Sequence, residues 1–238
     1  MFQSAAHQID TFVLQLHLLS ANLTPEKGEL VGSLMGDKGT FKVQRRHGYY
    51  NGYDLSRYRR CTMSICFGKD KSRGSRLSGL LMKSYGVHGS TYLDGREWRF
   101  WCSSSRAFRD LSTYYRPDWS CRSWRVTAPI FRANRAVKEA VIRGYFNADG
   151  YPNFSVARNE VALKATTVNC QGINTMSRLL QSLSYQAHVY RRYKNRNVWE
   201  LCIARQDDVL RFYEFIQFGI RRKQRKLRLM LERKGLLT

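Results

Sequence analysis

Two aspartates, Asp37 and Asp149, stand at the same place in two related segments about half the chain apart. Leu30-Val31-Gly32-Ser33-Leu34-Met35-Gly36-Asp37 recurs loosely as Ile142-Arg143-Gly144-Tyr145-Phe146-Asn147-Ala148-Asp149-Gly150. Each segment reads as an apolar helix with small residues on one side, ending in a carboxylate. An acid at a helix C-terminus opposes the helix dipole. Finding it twice, at matched positions, argues for a task beyond turning the chain. A duplicated acid at equivalent places supplies the geometry of a symmetric metal site.

Those acids need elements to hold them. Thr24-Pro25-Glu26 is a helix start, with Thr24 as cap, Pro25 in the first turn and Glu26 at the positive end of the dipole. That helix is expected to run to about Gly36. Alternation then predicts strands over 40–46 and 60–67, with Phe41, Val43, Cys61, Met63, Ile65 and Phe67 inward. A glycine- and tyrosine-rich turn separates them. A helix over 72–85 follows, then a hairpin turning at Asp94-Gly95, then a helix near 104–115. The second half repeats this order. Asn134 caps a helix to Asn147, strands follow at 151–158 and 160–168, and a helix covers 171–184. A second hairpin (186–192 and 197–204) precedes closing helices near 206–217 and 221–234. Each half therefore reads helix-strand-strand-helix-strand-strand-helix. Residues 1–23 form an extension with an amphipathic pattern through Ile9, Phe12, Val13, Leu16 and Leu19. Residues 120–133, with Pro129, read as a linker between a first half over 24–119 and a second over 134–238.

The charge balance narrows the partner. Forty-one Lys and Arg against 18 Asp and Glu give a net charge of +23, which points to a polyanion and first to nucleic acid. The charges are interleaved with aromatic and strand-forming residues, so they belong to a folded surface and not to a tail. The six cysteines form no Cys-x-x-Cys pair and have no histidine at finger spacing, which removes a zinc module. A reducing interior fits them best, with a disulfide still open. No run is long enough to span a bilayer, so no membrane role and a cytoplasmic location are expected. The scattered histidines, His7, His17, His47, His88 and His188, make no catalytic cluster.

With these residues in view, the chain resembles the LAGLIDADG homing endonucleases in their single-chain, two-motif form. Ile142 to Gly150 follows the motif position by position, with Asn147 in place of the first aspartate. Leu30 to Asp37 follows it less closely, because Lys38 stands at the motif glycine and Gly39 comes one place later. The resemblance extends over about residues 24–234. It implies an α+β fold of two pseudo-twofold-related αββαββα halves, each with an antiparallel four-stranded sheet, together forming a saddle on DNA. The two motif helices would pack side by side through Gly32, Gly36, Gly144 and Ala148, which are four apart and share a face.

Asp37 and Asp149 would then emerge together. Paired carboxylates repel and raise a pKa unless a cation neutralises them. The resemblance thus implies two or more magnesium ions on these aspartates, with manganese as an alternative, and hydrolysis of a phosphodiester in each strand of duplex DNA. It implies a catalytic helper lysine from the start of the last helix, Lys223, and a polar helper from the end of the second strand, for which Lys69 and Asn169 are the candidates. Arg122 and Arg125 stand near the matching place in the first half, so the two active sites are expected to be chemically unequal. The groove-reading face would carry Thr40, Lys42, Gln44, Arg46, Arg60, Thr62 and Ser64 from the first half. From the second it would carry Asn153, Ser155, Lys164, Thr166, His188, Tyr190 and Arg192. A monomer is expected, since the duplication supplies the twofold. Two other readings keep the scaffold without cleavage: an intron RNA maturase, and a basic RNA-binding structural protein.

Overall fold

Thr24 opens the first helix as its residue type dictates. Its hydroxyl accepts from Lys27 N at 3.4 Å and Pro25 takes the first turn of α1 (Pro25–Gly36). The computed structural model describes residues 22–45, 49–50, 53–54, 59–68 and 70–237. The amphipathic pattern of the N-terminal extension, Arg46 and Lys69 therefore lie outside the described residues.

After α1 come β1 (Thr40–Arg45), two two-residue strands, β2 (Tyr49–Tyr50) and β3 (Tyr53–Asp54), and β4 (Arg59–Phe67). Next are α2 (Ser72–Tyr85), β5 (Ser90–Asp94), β6 (Glu97–Ser103), α3 (Ser105–Leu111) and α4 (Ala128–Arg132). The second half runs α5 (Arg135–Ala148), β7 (Gly150–Ser155), β8 (Glu160–Thr167), α6 (Cys170–Gln181), β9 (Ala187–Tyr193) and β10 (Arg196–Ile203). It closes with α7 (Gln206–Arg211), a π turn at Phe212–Ile216 and α8 (Arg221–Arg233). The two large sheets have the same plan: β1-β4-β6-β5 in the first half and β7-β8-β10-β9 in the second, every pair antiparallel.

Several helix ends differ from the periodicity. The helix expected to reach residue 115 stops at Leu111. There Ser112 Oγ donates to Arg109 O at 2.9 Å and Thr113 Oγ1 to Asp110 O at 2.7 Å, bonds that compete with the helix ladder. Pro117 excludes helix just beyond. Tyr114 and Tyr115 are instead buried, and Tyr115 OH donates to Gly39 O at 3.0 Å. The helix expected over 206–217 widens to the π turn and ends where Gln217 adopts φ +62°. β7 ends at Ser155, three residues early, in a turn whose Asn159 has φ +49°.

The stretch 120–133 is packed against the second half. Trp124 and Ile130 are fully buried, Trp124 lies 5.2 Å from Tyr145, and Val126 N donates to Thr175 Oγ1 at 2.9 Å. All six cysteines are free thiols. No helix among the described residues is long and apolar enough to cross a membrane.

Candidate active site and nucleic-acid interface

The two motif helices meet through their small residues, and nothing larger fits. A Cβ on Gly32 would lie 2.0 Å from Val141 O, and one on Gly144 would lie 2.1 Å from Glu29 O. One on Gly36 would sit 2.2 Å from Ala148 Cβ. Gly28 continues the stripe, with 3.0 Å to Val137 O. At Gly32 and Gly144 the opposing atoms are backbone, which cannot move aside for a side chain.

That contact brings the helix ends together. Asp37 N donates to Ser33 O and Asp149 N to Tyr145 O, both at 3.0 Å, so each acid closes its own helix in the same way. The glycines that follow also match. A Cβ on Gly39 would meet Leu34 and one on Gly150 would meet Phe146, each at 2.5 Å. Gly39 is therefore the counterpart of Gly150, and Lys38 is one extra residue, accommodated at φ +48°.

The surroundings of the acids are cationic. Arg73, from the first turn of α2, is almost fully buried and ion-paired with the equally buried Asp37. Burial lowers its guanidinium to about 10, against the pull of Asp149 and Glu29. Burial pushes the Asp149 carboxyl up to about 7, opposed by Lys223, Arg73 and Lys38. Lys223, at the start of α8, is near enough to Asp149 to act on its carboxyl, and its ammonium caps the motif helix. It donates to the carbonyls of Phe146, Asn147, Ala148 and Gly150 at 2.6–3.2 Å. Burial and the Arg73 guanidinium pull it down to about 7, against Asp149. A cation there satisfies carbonyls that the helix leaves unpaired.

Asn169, a helper candidate, is spent on structure. It caps α6 by accepting from Gly172 N at 2.9 Å and holds Trp124 O at 2.7 Å. Asn147 has a clear task. It donates to Glu29 Oε1 at 3.1 Å and accepts from Gly219 N at 2.8 Å, a pair of bonds that an ionised aspartate could not make. Glu29, buried in α1, also takes Arg76 and lies 3.7 Å from Arg143. This ion-pair knot had no sequence signal, because its members lie in different elements.

The donor set fits a hard divalent ion. Asp37 and Asp149 offer carboxylate oxygens from two adjoining helix ends. Among the described residues no three His, Cys, Asp or Glu side chains gather to hold a metal alone. One or two carboxylates, completed by water and phosphate oxygens, is the common magnesium arrangement. Beside the motif helices a pocket of about 730 Å³ is lined by Asp70, Ser72, Ser75, Arg76, Gly219, Arg221 and Arg222, three of them arginines.

The sheet registers place the expected polar residues on one face of each sheet. Thr40 is opposite Ser64, Lys42 opposite Thr62 and Gln44 opposite Arg60. The face continues onto β5 and β6, which the alternation reading had not used. Tyr92, Arg99 and Trp101 complete its lining, and Arg60 stacks on Trp101 at 4.9 Å. On the second sheet Asn153, Ser155, Lys164, Thr166, His188, Tyr190 and Arg192 share one face, joined by Tyr151 and Glu200.

Residues 136–217 match the LAGLIDADG-like domain family. No curated protein matches the chain. A structure from mesophilic variants of the homing endonuclease I-DmoI superposes with a TM-score of 0.58 at 15% identity, over 82% of this chain and 97% of that one. I-DmoI in complex with DNA and Mn gives 0.57 at 16% identity, over 83% and 97%. A mutant of I-SmaMI gives 0.56 at 12%, over 90% and 92%. The fold, two pseudo-symmetric halves each with a four-stranded antiparallel sheet, is the one these homing-endonuclease structures share.

Proposed function

We propose that this chain is a single-chain LAGLIDADG-type DNA endonuclease, making a staggered double-strand break at a long asymmetric target and so promoting intron mobility. The observation that carries this is the pair Asp37 and Asp149, closing two helices that glycines bring into backbone contact between two like sheets. I-DmoI, whose fold this chain shares, has been solved with DNA and Mn, and in variant form with its target DNA and Mg.

Asp37 and Asp149 would hold the divalent ions, two or more of magnesium or manganese. Such an ion, when bound, supplies an activated water and screens the charge of the phosphodiester. The chain's own residues do the rest. Arg73 offsets the carboxylates' mutual repulsion. Lys223 fixes the end of α5 and hence the position of Asp149. Arg76, Arg221 and Arg222 offer charge to backbone phosphates beside the site, and the polar sheet faces meet the major groove. The two halves, 24–119 and 134–238, each take one side of the target, so one molecule suffices and a monomer is the working form.

The test is cleavage of a plasmid library carrying random or intron-flanking inserts, with magnesium and with EDTA. A magnesium-dependent staggered cut at one long site is expected. Asp37→Asn or Asp149→Asn should abolish the cut and keep specific DNA binding. Tight RNA binding with no DNA cut would overturn the proposal in favour of an intron maturase.

A further inference from the structure

A buried acidic residue lies in the middle of the polar face of the second sheet, whose edge carries a second acid, Glu160, opposite Ser155. Glu200 is only 3% exposed, although the face around it is open. Its Oε1 accepts from Lys164 Nζ at 2.8 Å and from the Tyr190 hydroxyl. Its Oε2 accepts from Tyr151 OH at 2.9 Å and lies 3.7 Å from Arg192 Nε. Lys164 also donates to Tyr190 OH at 3.2 Å. Four side chains from three strands thus converge on one carboxylate. Burial alone would raise this carboxyl, but the bonds from Lys164, Tyr190 and Tyr151 outweigh it and hold it below the ordinary range.

The pseudo-symmetry gives this acid a counterpart. In the first sheet Cys66 is opposite Arg99, which is opposite Tyr92. In the second, Thr166 is opposite Glu200, which is opposite Tyr190. The matched glycines, Gly39 and Gly150, put these two rows in register. The tyrosine is kept and the charge beside it inverts. Arg99 pairs with the exposed Asp94 on its own face at 2.9 Å, near the strand ends where Glu97 also lies, and stays half-exposed itself. Glu200 instead gathers the donors of its face around itself.

We propose that Glu200 is a positioning residue for base recognition, fixing Lys164, Tyr190 and Arg192 in the geometry that reads one half of the target. This rests on the reading of the sheets as the DNA-binding faces. A free lysine is a mobile point charge that contacts phosphates without discrimination. One tied to a carboxylate and a phenol presents its remaining donor in one direction. The inverted charge then gives the two half-sites different reading chemistry, as an asymmetric target requires.

The experiment is selection of bound duplexes from a random-sequence DNA library, with wild-type protein, Glu200→Gln and Tyr190→Phe. Glu200→Gln is close to isosteric, and Tyr190→Phe is a second route should the first variant fail to fold. Each should relax base preference about tenfold in one half of the recovered motif and leave the other half intact, the order carried by a lost base-edge contact. Glu200→Gln should also raise Lys164 acetylation in the free protein, with exposed Lys226 as control. A merely structural role would free Lys164 but leave base preference unchanged in both halves.

A motif read with equal stringency by all three proteins, or relaxed equally in both halves, overturns the role and leaves the endonuclease reading standing. Unchanged Lys164 acetylation also overturns it. No motif with wild-type protein overturns the DNA reading, and this role with it.

Discussion

At the residue scale, the site is a balance of buried charges. Asp149 titrates near 7 because burial disfavours its ionised form. Its folded-state pKa lies above the ordinary 3.8, so over that window the folded protein holds a proton that the unfolded chain has released. Without divalent ions, stability should therefore fall as pH rises from about 4 to about 7. Urea midpoints measured across that range should show the slope, and Asp149→Asn should flatten it. Magnesium at pH 7 should restore the midpoint and release protons, which calorimetry in buffers of different ionisation enthalpy would detect. Arg73 gives a sharper case. Removing it leaves Asp37 buried without its partner, so Arg73→Ala should cost about 3–5 kcal/mol in metal-free buffer. An unchanged midpoint would show that this ion pair contributes nothing.

At the element scale, α1 and α5 do two jobs through one contact. The same glycines that form the core between the halves bring together the helix ends that carry the acids. A Cβ on Gly144 would lie 2.1 Å from a backbone oxygen, and backbone cannot move aside as a side chain would. Gly144→Ala should therefore lower stability by about 3 kcal/mol or more, and Gly144→Leu should prevent folding. Thermal melting checks both, and an unchanged melting temperature would refute the close contact. The end of α5 has its own safeguard in Lys223, which reaches back from α8 to four carbonyls.

At the scale of the whole molecule, the net charge of +23 and the two polar sheet faces argue for contact along a long stretch of nucleic acid. Such binding is governed by counterion release. The plot of log affinity against log salt should have a slope of about −5 or steeper, the value for roughly six phosphate contacts on duplex DNA. Fluorescence anisotropy on a labelled duplex measures it, and a flat response would count against the charge argument. The buried apolar residues of the two halves form one continuous core, joined where the glycine-lined motif helices meet.

Much of this was legible along the chain, because the signals are local. The caps at Thr24 and Asn134 need only hydrogen-bonding side chains at the right offset. The sheet faces follow from period-two alternation, and the two acids from their matched settings. Three things were not local. Arg73 meets Asp37 only because α2 begins beneath α1, and its place in the first turn of a helix looks like that of any surface arginine. Glu200 lies in a mostly apolar stretch of β10, and its partners Lys164, Tyr190 and Tyr151 come from three other strands, β8, β9 and β7. Lys223 stands in a run of six polar residues, and folding singles it out by bringing the end of α5 to its ammonium. By itself the sequence determined the elements, their repeated order and the chemistry available, since these depend on residues close together in the chain. Tertiary structure alone decided which cations neutralise which acids, because a charge acts through distance in space and burial, and neither is written in sequence separation.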